Sequence, residues 1–236
     1  KKAWGDASGD QKLNIIAGIV SASRNVPKGG DVWKSAINQI AGEDQSYIMA
    51  GFARMNGFKA SNGTDVAAAI INGNQLMKDK SKTRTAKALL DSEFDRYVGR
   101  SATGETAEAT RAAFHAIYEF ETNRRNYTTT DTKAFNKESL ETALNLSTGG
   151  VYDQMKFGSE KWKVSKPYGQ TDENFKAMLD AQYKHAANYL KVPVAELKTL
   201  RLARDGFAKT GTIKYAMLMD DGRVYAHLVM PKGINK

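Results

Sequence analysis

The chain has 236 residues, 41% of them hydrophobic and 26% charged, and 35 Lys and Arg against 26 Asp and Glu leave a formal net charge of +9. That length can bury a real core, as one large domain or two small ones, and the composition is that of an ordinary globular protein. With no cysteine there is no disulfide framework, zinc ribbon or thiol nucleophile, and no apolar run approaches the roughly 18–20 residues of a membrane span.

The opening KKAW, without methionine or an export pattern, reads as the ordered part of a longer chain. SGDQKLNIIAGIVSAS (8–23) has apolar residues at helical spacing, with Ser8 or Asp10 able to cap it. RNVPKGGD (24–31) is a turn. Asp31 then caps DVWKSAINQIAGE, where Val32, Trp33, Ala36, Ile37 and Ile40 form one stripe. EDQSYIMAGFARMNGF (43–58) predicts a third helix that stops at Asn56-Gly57, a left-handed C-cap. In ASNGTDVAAAIINGNQLMKDK (60–80), Thr64 or Asp65 caps a helix that turns Val66, Ile70 and Ile71 inward.

KDKSKTRTAK (78–87) is the densest basic run and reads either as a solvated connector or as a phosphate-binding strip. Helices follow over 85–100 and 101–126, the second with Ala109, Ala112, Ala113, Ala116, Ile117 and Phe120 spaced for close helix packing. Residues 131–150 predict another helix, stopped by Gly149-Gly150.

After Gly150 the texture changes. Residues 151–170 are aromatic, basic and turn-rich, with one short strand suggested by Lys-Trp-Lys-Val. A helix over 171–192 starts at Thr171, with Asp172 and Glu173 in its first turn, and VPVAEL adds a further turn. Residues 199–204, 213–219 and 224–230 alternate, with turns at Asp205-Gly206 and Asp221-Gly222. They predict a meander of about three strands, with 161–164 as a candidate neighbour. The fold class is mostly α: a helical bundle-like region (1–150), then a small C-terminal α+β module (151–236) with an antiparallel hairpin or meander.

Chemistry is sparse. His115, His185 and His227 have no helical metal spacing, and no nucleophile elbow or phosphate-cradling glycine motif occurs, so neither metal nor cofactor is expected. Glu43 and Glu105, with Asp44 beside the first, are carboxylates near helix starts, the kind of pair glycoside cleavage uses. No catalytic residue is assigned. The candidate nucleic-acid or anionic-surface contacts are Lys78, Lys80, Lys82, Arg84 and Lys87, together with Lys161, Trp162, Lys163, Lys166 and Tyr168. The competing reading of the second group puts Trp162 and Phe157 in the core. The hairpin offers Tyr215, Met217, Met219, Val224, Tyr225 and Leu228 as partner-docking residues, since a sheet edge can pair with another strand.

KWKVSKPYGQTDENFKAML (161–179), leading to LRLARDGFAKTGTIKYAMLMDDGRVYAHLVM (200–230), is similar to the C-terminal parts of large podovirus-type phage internal virion (ejection) proteins. The shared pattern is a Pro-aromatic-Gly turn opening an acidic-Phe helix, followed by hairpins with Asp-Gly turns. The stretches AGFARMNGF and AAFHAIYEF resemble the helical texture of such proteins, while the region between Asp205 and Tyr215 is longer than their pattern. The resemblance implies a virion component delivered to the host envelope and periplasm, where it helps form the genome-delivery conduit. Its partners would be other virion proteins, further copies of itself and, by its charge, DNA, with transient envelope contact. Some relatives carry a peptidoglycan-cleaving domain, whose catalytic residues do not map onto this chain.

Overall fold

The computed structural model describes residues 2–24, 35–36, 38–40, 42–60, 62–98, 107–155, 161–207 and 213–230. The chain is mostly α with a small β module. The described residues fall into two units. The first is built from residues up to Arg96 together with Glu108–Ser147, and the second from Tyr97, Val98, Ala107 and Thr148 onward.

In the first unit a short α1 (Lys2–Gly5) precedes α2 (Gly9–Arg24). The start of α2 is a reciprocal cap: Gln11 N–H donates to Ser8 Oγ (3.3 Å) and Ser8 N–H to Gln11 Oε1 (2.7 Å). A 3-10 turn (Gly42–Gln45) leads into α3 (Ser46–Asn56), which stops where Gly57 takes φ 65° and donates to the last carbonyls. In α4 (Val66–Met77), Asp65 Oδ1 caps by accepting from Ala68 N–H (2.8 Å), as one of the two predicted caps. Then come α5 (Lys87–Val98), α6 (Ala107–Arg124) and α7 (Lys137–Thr148). Of the predicted 31–43 helix, residues 31–34, 37 and 41 lie outside the described residues, and 42–43 belong to the 3-10 turn.

Burial follows the apolar stripes. Leu13 and Ile16 of α2, Ile48 and Phe52 of α3, Val66 and Ile70 of α4, Phe94 of α5 and Phe114 and Ile117 of α6 are all excluded from solvent. Each such side chain contributes roughly 1.5–3 kcal/mol by leaving water. Polar bonds fix the register of this packing: Asn74 Nδ2 donates to Ser46 Oγ (2.7 Å), which donates to the Glu43 carbonyl (2.7 Å). The alanines let helices approach closely. Ala109, Ala113 and Ala116 are buried, while Ala112 and Phe120 are only partly so.

The second unit holds two sheets. β1 (Val151–Met155) and β2 (Lys161–Ser165) form an antiparallel hairpin, with Val151 opposite Ser165 and Gln154 opposite Trp162. After α8 (Asp172–Leu190), capped by Thr171, and α9 (Val194–Leu197), the meander runs β3 (Arg201–Phe207), β4 (Ile213–Leu218), β5 (Val224–Val229) in that order. Phe175, Leu179 and Tyr183 of α8 pack on Leu202, Tyr215, Met217 and Leu228 to form its core.

Two expectations differ from the structure. Residues 161–165 lie beside β3 as expected, without joining its ladder, and pair instead with β1, a strand the sequence pattern concealed. Gln154 holds a core-facing position of β1, where an apolar residue would have shown the alternation. It is satisfied there by Tyr183 Oη (3.3 Å), the Leu200 carbonyl (3.2 Å) and Leu202 N–H (3.1 Å). Asp205-Gly206 is not a turn: β3 continues to Phe207, and the ladder shifts between Arg204 and Phe207. That irregularity leaves the Asp205 carboxylate to accept from Lys214 (3.3 Å) and to meet His227 Nε2 (2.8 Å).

The two sides of the meander differ. At β3 the hairpin's side chains take up the strand's own polar groups: Trp162 Nε1 donates to the Leu202 carbonyl (2.7 Å), and Gln154 accepts from Leu202 N–H. At β5 no strand follows among the described residues.

Candidate functional site

The basic candidates divide. Lys78, Lys80, Lys82 and Lys87 are exposed. Arg84 is not offered to a ligand, because its Nε pairs with Glu119 (3.1 Å) and its Nη2 donates to the Leu76 carbonyl (2.7 Å). It ties the connector down onto α4 and α6 by charge-assisted bonds.

The aromatic group serves the fold. Trp162 is buried with its N–H spent on Leu202, and the Arg201 guanidinium lies 4.6 Å from its ring centroid, so it gives no platform on which a base could stack. Lys163 Nζ donates to the Tyr97 carbonyl (3.3 Å) and Lys166 Nζ pairs with Asp172 (2.6 Å). Burial pushes the Tyr168 hydroxyl up to about 12, which leaves it protonated across the physiological range. The Lys161 side chain and residues 156–160 lie outside the described residues.

Of the six hairpin candidates, Tyr215, Met217 and Leu228 face the core and offer no docking surface, and Met219 is partly buried. Val224 and Tyr225 are 47% and 40% exposed. Two residues not anticipated from the sequence join them: Val229, 41% exposed, and Tyr189 of α8, 82% exposed. Tyr189 stands off the stripe of Phe175, Leu179, Tyr183 and Ala186 that buries α8, and that offset was the available signal.

Of these, Tyr189 and Val229 border a groove of about 610 Å³ between α8 and β5, whose lining also includes His185, Ala186 and His227. Met230 N–H donates to the Ile213 carbonyl (3.0 Å), which sets the parity of the ladder. Alternation then points the main-chain N–H and C=O of Leu228 at β4 and those of Val229 and His227 out along the edge that no described strand pairs. The groove therefore has a hydrogen-bonding wall of backbone and an aromatic flank.

A second concavity, of about 280 Å³, lies in the first unit against α6, where Glu108, Arg111, His115 and Glu119 follow at helical spacing. Behind it His115 Nε2 meets Asp91 Oδ1 (2.8 Å), and Arg111 bonds both Asp91 (3.3 Å) and Asp95 (2.6 Å). Burial opposes ionisation of Asp91, but its bonds to His115 and Arg111 outweigh that and hold its carboxyl below the usual range. Burial pushes the His115 imidazole down against the pull of Asp91, with Lys87 and Arg111 adding to the fall. His115 is thus neutral at pH 7. The Asp91 carboxylate can only accept, which puts the proton on Nε2 and leaves Nδ1 as a lone pair.

Below the unfolded histidine value of about 6.5 the unfolded chain takes up a proton that folded His115 resists, so stability falls as pH drops from there toward the folded value. Urea unfolding at pH 7 and pH 5 should show a smaller loss of stability in His115→Gln than in the parent; equal losses would refute this.

Of the carboxylates noted in the sequence, Asp44 is held by Trp4 Nε1 (2.9 Å) and Lys12 (2.9 Å), Glu43 lines the α6 concavity, and Glu105 lies outside the described residues. Among the described residues no cluster of His, Asp and Glu could hold a metal ion, and no helix is long and apolar enough to cross a membrane. Comparison with protein-family models, with curated proteins and with solved structures gave no match.

Proposed function

We propose that this chain is a structural component of a phage ejection or tail assembly and docks by adding a partner's strand to β5. The open edge of β5 carries this reading: outward main-chain groups at His227 and Val229, beside exposed Val224, Tyr225 and Tyr189. An extended segment laid there gains ladder hydrogen bonds from the edge and apolar contact from α8. The likeness of 161–179 and 200–230 to internal virion proteins supplies the setting, with other virion proteins or further copies of this chain as partners. Co-purification with virion proteins and light scattering at rising concentration test it. Val229→Lys, which puts a charge on the free edge without touching the β4 ladder, should weaken association at least about tenfold. A parent chain that stays monomeric and partner-free, or a variant that associates equally well, would defeat the proposal.

A second reading, nucleic-acid binding, rests on the exposed Lys78, Lys80, Lys82 and Lys87. It requires DNA affinity that falls steeply with salt, the slope growing by about 0.9 for each phosphate neutralised. Binding that is absent or indifferent to salt would remove it.

A further inference from the structure

The concavity on α6 sorts its charged groups into two sets. Arg84 is engaged by Glu119, and Arg111 by Asp91 and Asp95. Glu43, Glu108, Lys80 and Lys87 line the same space, yet their side chains make no ion pair or hydrogen bond among the described residues. Opposite charges within about 4 Å of one another count as a pair. These carboxylates and ammoniums therefore stand apart. Met77, Leu90 and Ala112 give the same space an apolar lining, and His115 Nδ1, the lone-pair nitrogen, has no hydrogen-bond partner among the described residues.

We propose that this concavity binds a small α-amino acid with an apolar side chain. The ligand's ammonium faces Glu43 and Glu108, its carboxylate faces Lys80 and Lys87, and its side chain covers Met77 and Leu90. An exposed charge pair is worth little in water. Two such contacts made at once, at the mouth of a recess with a lower dielectric, are worth more and require both charges on one molecule. The size agrees: about 280 Å³ falls just under the roughly 300–1,000 Å³ of sites that enclose drug-sized ligands. A monopolar ligand would leave one of the two unpaired sets unanswered. His115 adds discrimination, since its Nδ1 accepts a hydrogen bond from an ammonium and repels a second carboxylate. This site lies wholly within the first unit and does not depend on the assembly reading.

The test uses three probes on the whole chain, followed by calorimetry and by the NMR signals of the His115 ring. L-leucine carries both charges, 4-methylpentanoate lacks the ammonium, and 3-methylbutylamine lacks the carboxylate. L-leucine should shift the His115 ring and bind at least about tenfold more tightly than either analogue. Glu108→Gln and Lys87→Gln, both at exposed positions, should each weaken L-leucine by a similar factor while helicity is unchanged. Absence of heat and of any His115 shift up to the solubility limit of L-leucine overturns the site. Equal binding of an analogue, or full affinity in both variants, overturns the assignment to an amino acid.

Discussion

Gly73→Ala should destabilise the first unit by about 3 kcal/mol or more, at the upper end of what overpacking costs. The reason is geometric. A Cβ on Gly73 would sit 1.8 Å from the carbonyl oxygen of Ala116 and 2.4 Å from its carbon, so the added methyl meets the backbone of α6 itself. A side chain in the way could rotate aside, but a carbonyl inside a helix cannot move without pulling its own ladder bond. α4 and α6 would have to separate, and the contacts of Ile70 and Ile117 would loosen with them. Gly18→Ala is the control of opposite sign: Gly18 lies in the body of α2, and a Cβ there meets nothing within 4 Å. It should stabilise by up to about 1 kcal/mol through helix propensity alone. Urea unfolding of both variants measures this. A Gly73→Ala protein as stable as the parent would mean that the two helices do not touch there.

Trp162→Ala should cost the second unit about 3–5 kcal/mol, in the range for deleting a large buried aromatic. The side chain fills the core between hairpin and meander, and its N–H answers the Leu202 carbonyl, which would be left without that donor. Trp162→Phe keeps most of the volume and loses the bond, so it should cost less, about 1–3 kcal/mol. This pair of variants also separates the two readings of the basic aromatic stretch. If Trp162 is a core residue, any loss of DNA affinity in Trp162→Ala tracks unfolding and is absent in Trp162→Phe. A folded Trp162→Ala protein with intact stability and reduced DNA binding would restore the stacking role.

Much of the architecture was legible because caps and periods agree locally. Ser8, Asp65 and Thr171 start helices where a short polar side chain can accept an orphan N–H, and Gly57 stops one by taking a positive φ. The meander was readable from three alternating runs. What escaped the sequence is what tertiary partners decide. Gln154 hid β1 because a polar residue on an inner face looks like an outer one until its three bonds are seen. Asp205-Gly206 resembled a turn, but side chains from β4 and β5 hold Asp205 within a strand. The candidate site was half legible. Alternation marks the two faces of β5, but exposure of Val229 and Tyr189 depends on which side of the sheet α8 covers. The concavity on α6 could not be foreseen, since Glu43, Lys80 and Glu108 come from distant segments.

The unequal sides of the meander bear on how far any assembly through it can grow. A fibre built by adding sheet to sheet needs two open sides on every copy, one to give and one to receive. Here the β3 side is already occupied by Trp162 and Gln154 of the same molecule. Two copies that meet β5 to β5 across a two-fold axis consume both free edges and form a closed six-stranded sheet. A chain with this design can present an apolar strand at high local concentration without runaway polymerisation, and the first partner to arrive ends the process.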